Sequence, residues 1–237
     1  MSKINNIDHL YSLLPNTKTE SWKYTNIKRF LPENLKINND QIDIDLNSKG
    51  VLEGIISIKS PYKIWFKNGD FDKASSIVPS GMSIKKIKSN SLGAHGFYAN
   101  PKGKSFCEKM EESSLFKKSE QRDNLLKINS LYDHTCFLIE FAPNFSCEQH
   151  VEINNLFSSQ APGIKQHRLL CLINPGANVK IIEQTIDLSG GSNFHNTVSE
   201  IICLKKSFLE HISIQKGVQN NCSVKTSFVA QSKESQS

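Results

Sequence analysis

Cys147-Glu148-Gln149-His150 has the spacing of a metal-binding half-site. A thiolate and an imidazole three residues apart supply two of the donors that zinc or an iron–sulfur centre takes. No second pair at ligand spacing follows, so the four residues read as a polar loop. Asp133-His134 has the chemistry of an oriented base, since a carboxylate fixes the imidazole tautomer. No nucleophile stands beside it, and the dyad reads as a surface pair. His195, Cys203, His211 and Cys222 fall in successive strand-like stretches. Stacking those stretches would bring two of the four onto one face. Cys203 lies in an apolar run, where a thiol acts as a small hydrophobe. His211 is read as outward-facing from the parity of its strand. Glu111-Glu112 look like a solvated helix face. Gly176 and Gly190-Gly191 lack the G-x-G-x-x-G or GK[ST] frame of a nucleotide loop. No self-contained active site emerges, and no residue is assigned a catalytic, cofactor-binding or metal-ligating role.

The elements that would position these groups are strands. Ile201 to Leu204 is continuously apolar, as in a strand buried on both faces. After Lys205-Lys206 the chain alternates. Phe208, Ile212 and Ile214 share one parity, and His211, Ser213 and Gln215 share the other. Residues 169–184 repeat the pattern, with Asn174-Pro175-Gly176 as the turn. The triplets Phe137-Leu138-Ile139, Leu169-Leu170-Cys171 and Ile201-Ile202-Cys203 recur every 32 residues. β-branched and aromatic residues dominate, and long helical stripes are absent. The expected fold is therefore mainly β: a right-handed parallel β-helix, or solenoid, whose coils each need a neighbour to bury their inner face. A β-sandwich is the second choice.

A small α+β region is expected before it, over residues 1–104. Ile7, Leu10, Tyr11 and Leu14 form a helical stripe ended by Pro15. Trp22 and Tyr24 read as large apolar anchors, followed by a helical turn carrying Ile27, Phe30 and Leu31. Residues 33–60 read as weak strands and loops. Tyr62 to Phe66 reads as a strand before an Asn68-Gly69 turn. Gly93, Gly96, Pro101 and Gly103 mark a loop over 88–104. A connecting helix is expected over 105–130 and the β-helix over 131–237, ending on the strand Val224–Ala230 and a polar tail.

The totals limit the functional classes. A charged fraction of 22% and a hydrophobic fraction of 38% describe an ordinary globular chain. No apolar run reaches membrane-spanning length, and the N-terminus has no secretory pattern. The net charge of +6 is spread along the chain in pairs such as Lys85-Lys86 and Lys117-Lys118, which argues for a solvated surface rather than a nucleic-acid site. None of the six cysteines forms a C-x-x-C pair, so a reducing cytoplasm is expected rather than a disulfide framework. The strands after 131 show no acidic cluster of the kind a β-helix carbohydrate-active enzyme uses. That enzyme class and a Cys/His metal-binding module remain as alternatives.

Three passages resemble the SufB/SufD family of iron–sulfur cluster assembly. Glu20-Ser21-Trp22-Lys23-Tyr24-Thr25-Asn26 is similar to the family's E-x-W-[RK]-Y-T-[DN] signature, on the SufD side. Phe66-Lys67-Asn68-Gly69 with Ile77-Val78-Pro79-Ser80-Gly81-Met82 resembles its F-x-N-G … L-P-x-G-V passage. Asn196 to Ile201 with Leu209-Glu210-His211 and Gln215 resembles its N-x-V-x-E-I … L-E-H … Q passage. The resemblance implies a scaffold subunit rather than an enzyme. It implies an N-terminal helical region, a right-handed parallel β-helix that pairs with a SufB-like paralogue, and a C-terminal helical domain that binds a SufC-like ATPase. Fe–S clusters are assembled by that complex, and no cofactor is expected on this chain alone. The later coils and the helical domain have no counterpart in these residues, so the chain is expected to be C-terminally truncated.

Overall fold

The computed structural model describes residues 7–31, 35, 42–56, 58–87, 124–131, 136–159, 161–189, 192–216 and 221–237. The loop expected over 88–104, most of the 105–130 helix with Glu111-Glu112, the Asp133-His134 pair and Gly190-Gly191 lie outside these residues.

The described chain is mainly β, in two five-stranded sheets. The first has the order β2 (Asp70–Phe71), β1 (Lys63–Lys67), β5 (Val151–Phe157), β7 (Asn178–Asp187), β9 (Phe208–Gln215). The second has the order β10 (Cys222–Gln231), β8 (Phe194–Cys203), β6 (Ile164–Ile173), β4 (Cys136–Phe141), β3 (Met82–Ile87). Pairing is parallel except between β1 and β2 and between β3 and β4. From β4 onward the chain lays successive strands in the two sheets by turns.

The corners between the sheets explain how the sequence achieves this. Asn144, Gly176, Lys206 and Glu234 all have positive φ, between 57° and 73°. They stack: Asn144 N donates to Pro175 O at 3.0 Å, Gly176 N to Lys205 O at 3.1 Å, and Lys206 N to Lys233 O at 3.4 Å. One left-handed residue therefore turns each pass in the same way. Glycine suits 176, where an added Cβ would force the Asn144 side-chain amide to shift. The Asn68-Gly69 turn is as read from the sequence. Both residues have positive φ, the I′ geometry that joins β1 to β2.

The repeat is not the uniform 32 residues of the apolar triplets. Cys136 pairs with Arg168, Ile164 with Phe194 and Phe194 with Cys222, giving offsets of 32, 30 and 28. Leu169 therefore lies beside Ser199 rather than Ile201. All three offsets are even, so each strand keeps the same face inward although the loops shorten.

Between the sheets lies an apolar cluster that includes Phe66, Phe137, Ile139, Phe141, Ile153, Leu169, Cys171, Ile181, Ile201 and Leu209. Helices pack on part of each outer face. α1 (Ile7–Leu13) and α3 (Asn124–Leu131) pack with Ile164 and Phe194 on the second sheet. The stretch expected to hold weak strands instead contains α2 (Lys49–Gly54), which packs Val51 against Leu156 and Ile186 of the first sheet. Alternation at Ile42, Ile44 and Leu46 suggested strands, but only Ile44 of the three is buried, and the chain turns into α2 instead. Two bonds fix α2: Ile56 N donates to Gln184 Oε1 at 2.9 Å, and Gln184 Nε2 returns to Ile56 O at 3.0 Å.

Candidate functional site

The interior changes character along the strands. The first half of each long strand of the first sheet meets the second half of each long strand of the second sheet in the apolar cluster. The inward side chains beyond it are polar. Alternation puts Asn155 on β5, Glu183 and Asp187 on β7, His211 on β9, His195 and Ser199 on β8 and Lys225 on β10 between the two sheets.

Glu183 is the centre of this seam. Its Oε1 accepts from Asn155 Nδ2 at 3.2 Å and Ser199 Oγ at 3.3 Å. Its Oε2 lies 2.7 Å from Lys225 Nζ and 3.1 Å from His211 Nε2. Burial alone would push the carboxyl up, but the Lys225 charge and the His211 bond overcome it and hold Glu183 well below the usual carboxylate range. A carboxylate this saturated with donors is a poor base. Its chemistry is to stay charged and to hold Lys225 in an interior position.

A second acid, Asp187, closes the far end of the seam. Its Oδ2 accepts from His195 Nε2 at 2.7 Å, Asn193 Nδ2 at 2.7 Å and Asn221 Nδ2 at 2.8 Å. Its Oδ1 accepts the Ser189 amide at 2.8 Å. Burial raises its carboxyl, and the His195 bond and charge more than reverse that. The same asparagines tie successive passes together. Gly163 N donates to Asn193 Oδ1 at 2.9 Å, and Asn193 N donates to Asn221 Oδ1 at 2.7 Å. His195 also packs edge-on against Phe157, with ring centroids 5.3 Å apart.

On the outer face of the second sheet, Arg168 and Glu200 form a buried pair, with Nε 2.6 Å from Oε1. Beside it α3 docks through amides. Asn129 Nδ2 donates to Gln166 Oε1 at 2.9 Å and to Asn196 O at 2.8 Å, and Asn196 Nδ2 donates to Leu125 O at 2.8 Å.

The residues singled out in the sequence are dispersed. His150 Nε2 lies 3.2 Å from Glu210 Oε1, while Cys147 packs against the apolar cluster, so the C-x-x-H residues have separate partners. His195 and His211 belong to different acids. Cys203 lies in the apolar cluster, and Cys222 faces outward toward α1 and α3. The outward reading of His211 is corrected: its parity is the inward one, because Leu209 on the same parity is buried in the core. Phe208 and Ile212, the apolar parity, are the exposed ones, at 38% and 42%. Glu183 and Lys225 escaped the sequence reading. Their only signal was a charged residue at an inward position of a strand. Among the described residues no three His, Cys, Asp or Glu side chains converge as metal ligands. Among them, too, no helix is long and apolar enough to cross a membrane.

The buried thiols are inert by position. Burial pushes Cys136 up to about 12 and Cys203 up to about 11, and it raises Cys171 as well. Alkylation of the native protein near pH 8 is expected to leave these three unmodified, and peptide mapping after a short iodoacetamide pulse checks it. Rapid labelling of Cys171 in the folded protein would contradict the packing.

Parallel strands laid by turns in two facing sheets, with a stacked left-handed corner at each pass, define a class of repetitive β protein. Residues 156–237, from the end of β5 through β10, match the SufBD core domain of the SUF system of FeS cluster assembly. Over this segment the chain is similar to the SufB/SufD family. No curated protein matches the chain.

Proposed function

We propose that the chain is a SufD-like scaffold subunit that works with a SufB-like paralogue and a SufC-like ATPase in Fe–S cluster assembly. Its fold is read as a parallel β-helix, each pass through both sheets being one coil. In this reading the chain contributes surface and rigidity rather than catalysis. The cluster is cargo of the complex and not a resident cofactor, and the setting is the cytoplasm. The observation that carries the proposal is the coincidence of the SufBD core match with strands β6 to β10, whose corner turns stack in register. The saturated state of Glu183 and Asp187 supports a structural rather than catalytic interior. The SufD side rests on the Glu20 to Asn26 passage.

Co-expression with SufB-like and SufC-like proteins from the same genome tests this. A tagged chain is expected to retain the SufB-like protein through size exclusion at near-equal amounts. Elution of the chain free of both proteins would overturn the proposal.

A further inference from the structure

Trp22 and Tyr24 were both expected to be apolar anchors, and the structure separates their roles. Trp22 packs against the cluster that holds Leu10, Ile27 and Leu125. Tyr24 is 91% exposed, and Phe30, expected on a helical turn with Ile27, is 63% exposed. Neither ring is on a loose segment. Short 3-10 turns at Glu20–Trp22 and Ile27–Arg29 fix the backbone. Thr25 N donates to Trp22 O at 3.0 Å, Phe30 N donates to Ile27 O at 3.0 Å, and buried Ile27 pins the middle. A rigid backbone therefore presents two large rings to solvent.

The charge of the segment itself is of one sign. Lys23 Nζ lies 5.6 Å over the Tyr24 ring, Lys28 and Arg29 are exposed, and no acidic residue occurs between Ser21 and Leu31. Exposed Tyr and Arg on a preorganised backbone are the composition of a binding hot spot. We propose that residues 23–30 are a docking surface for an acidic peptide segment of a protein partner. Tyr24 and Phe30 receive its apolar side chains, and Lys28 and Arg29 receive its carboxylates. The surface lies outside the residues matched to the SufBD core and stands independently of the function proposed above.

A peptide fits better than nucleic acid. Five residues stand between Tyr24 and Phe30, which places their Cα atoms at most about 20 Å apart, a short peptide's span. The cations do not continue as an unbroken track for successive phosphates, because Glu20 interrupts the basic residues between Lys18 and Lys23. Lys23 already covers one face of Tyr24, which removes it from two-sided base stacking.

Fluorescence anisotropy tests the proposal, with a labelled peptide of repeated Glu-Glu-Leu as probe. A Lys-Lys-Leu counterpart and oligo-dT serve as comparisons. The intact protein is expected to bind the acidic peptide and not the basic one. Tyr24→Ala with Phe30→Ala, and separately Lys28→Glu with Arg29→Glu, should each weaken binding about tenfold or more. Both variants should keep the parent melting temperature, since these side chains are exposed. No binding of the acidic peptide, unchanged affinity in either variant, or tighter binding of oligo-dT would each overturn the assignment.

Discussion

Replacing Glu183 with glutamine is expected to lower the stability of the fold by about 3–5 kcal/mol, the usual cost of removing one partner from a buried ion pair. Glutamine keeps the shape and can still accept from Asn155 and Ser199. It cannot neutralise Lys225, whose side chain is only 7% exposed. The substitution therefore leaves a buried ammonium without its counter-charge. Glu183→Leu combined with Lys225→Met removes both charges, and apolar replacement of a whole buried pair is often neutral or stabilising. That double variant should recover most of the loss. Denaturant unfolding of the parent, of Glu183→Leu and Lys225→Met singly, and of the double variant forms the cycle that isolates the pair. A Glu183→Gln variant within about 1 kcal/mol of the parent would show that the seam does not hold Lys225 as described.

The same seam sets the acid limb of the stability profile. Glu183 and Asp187 both have folded values below their ordinary 4.5 and 3.8. A carboxyl depressed on folding contributes stability that is fully present above its unfolded pKa and is lost as the pH falls through the folded value. The parent should thus hold a plateau through neutral and mildly acidic pH and lose stability only below about pH 4.5, where unfolded carboxyls take up protons. Glu183→Gln should start from a lower plateau and fall less steeply in acid, because one depressed carboxyl is gone.

The strands of this fold were legible because apolar runs and corner residues are local signals. Asn174-Pro175-Gly176 announced a turn, and the turn is there. The facing of β9 was not legible. Sequence alternation says which residues share a face, and it says which face is inward only if the interior is apolar. Here the interior beyond Leu209 is the Glu183–Lys225 seam, so His211 points inward while Ile212 meets solvent. The pairing that makes the seam is long-range: Lys225 reaches Glu183 across the gap between sheets, a relation that no window along the chain contains. The repeat length misled for a related reason. The triplets at 137, 169 and 201 share composition, while register follows the corners at 144, 176 and 206, which shorten from one pass to the next. Tyr24 and Phe30 show the converse. Large rings near an apolar turn suggest a core, but Ile27 and Trp22 already fill the contact with α1 and α3.

Phe66→Ala is expected to cost about 3–5 kcal/mol, the range for truncating a fully buried phenylalanine. Phe66 has no exposed surface. Its ring lies 5.1 Å from Phe137, 5.7 Å from Phe71 and 5.3 Å from His167, centroid to centroid. Its place in the register makes the site more than a large hole. Phe66 pairs with Asn155, which pairs with Thr185, so it stands on the row where the interior passes from apolar to polar. Removing the ring opens the apolar cluster to the seam, and a cavity bordered by His167 and Asn155 is polar enough to take water. β1 is also hydrogen-bonded to β5 over Lys63–Lys67 and Glu152–Leu156, which makes it a strand of the first sheet. The loss should therefore appear as a shift of one unfolding transition of the whole chain. An early, separate transition confined to residues before β4 would mean that β1 is an accessory to the stack. A change below about 1 kcal/mol would mean that the ring does not divide the two halves of the interior.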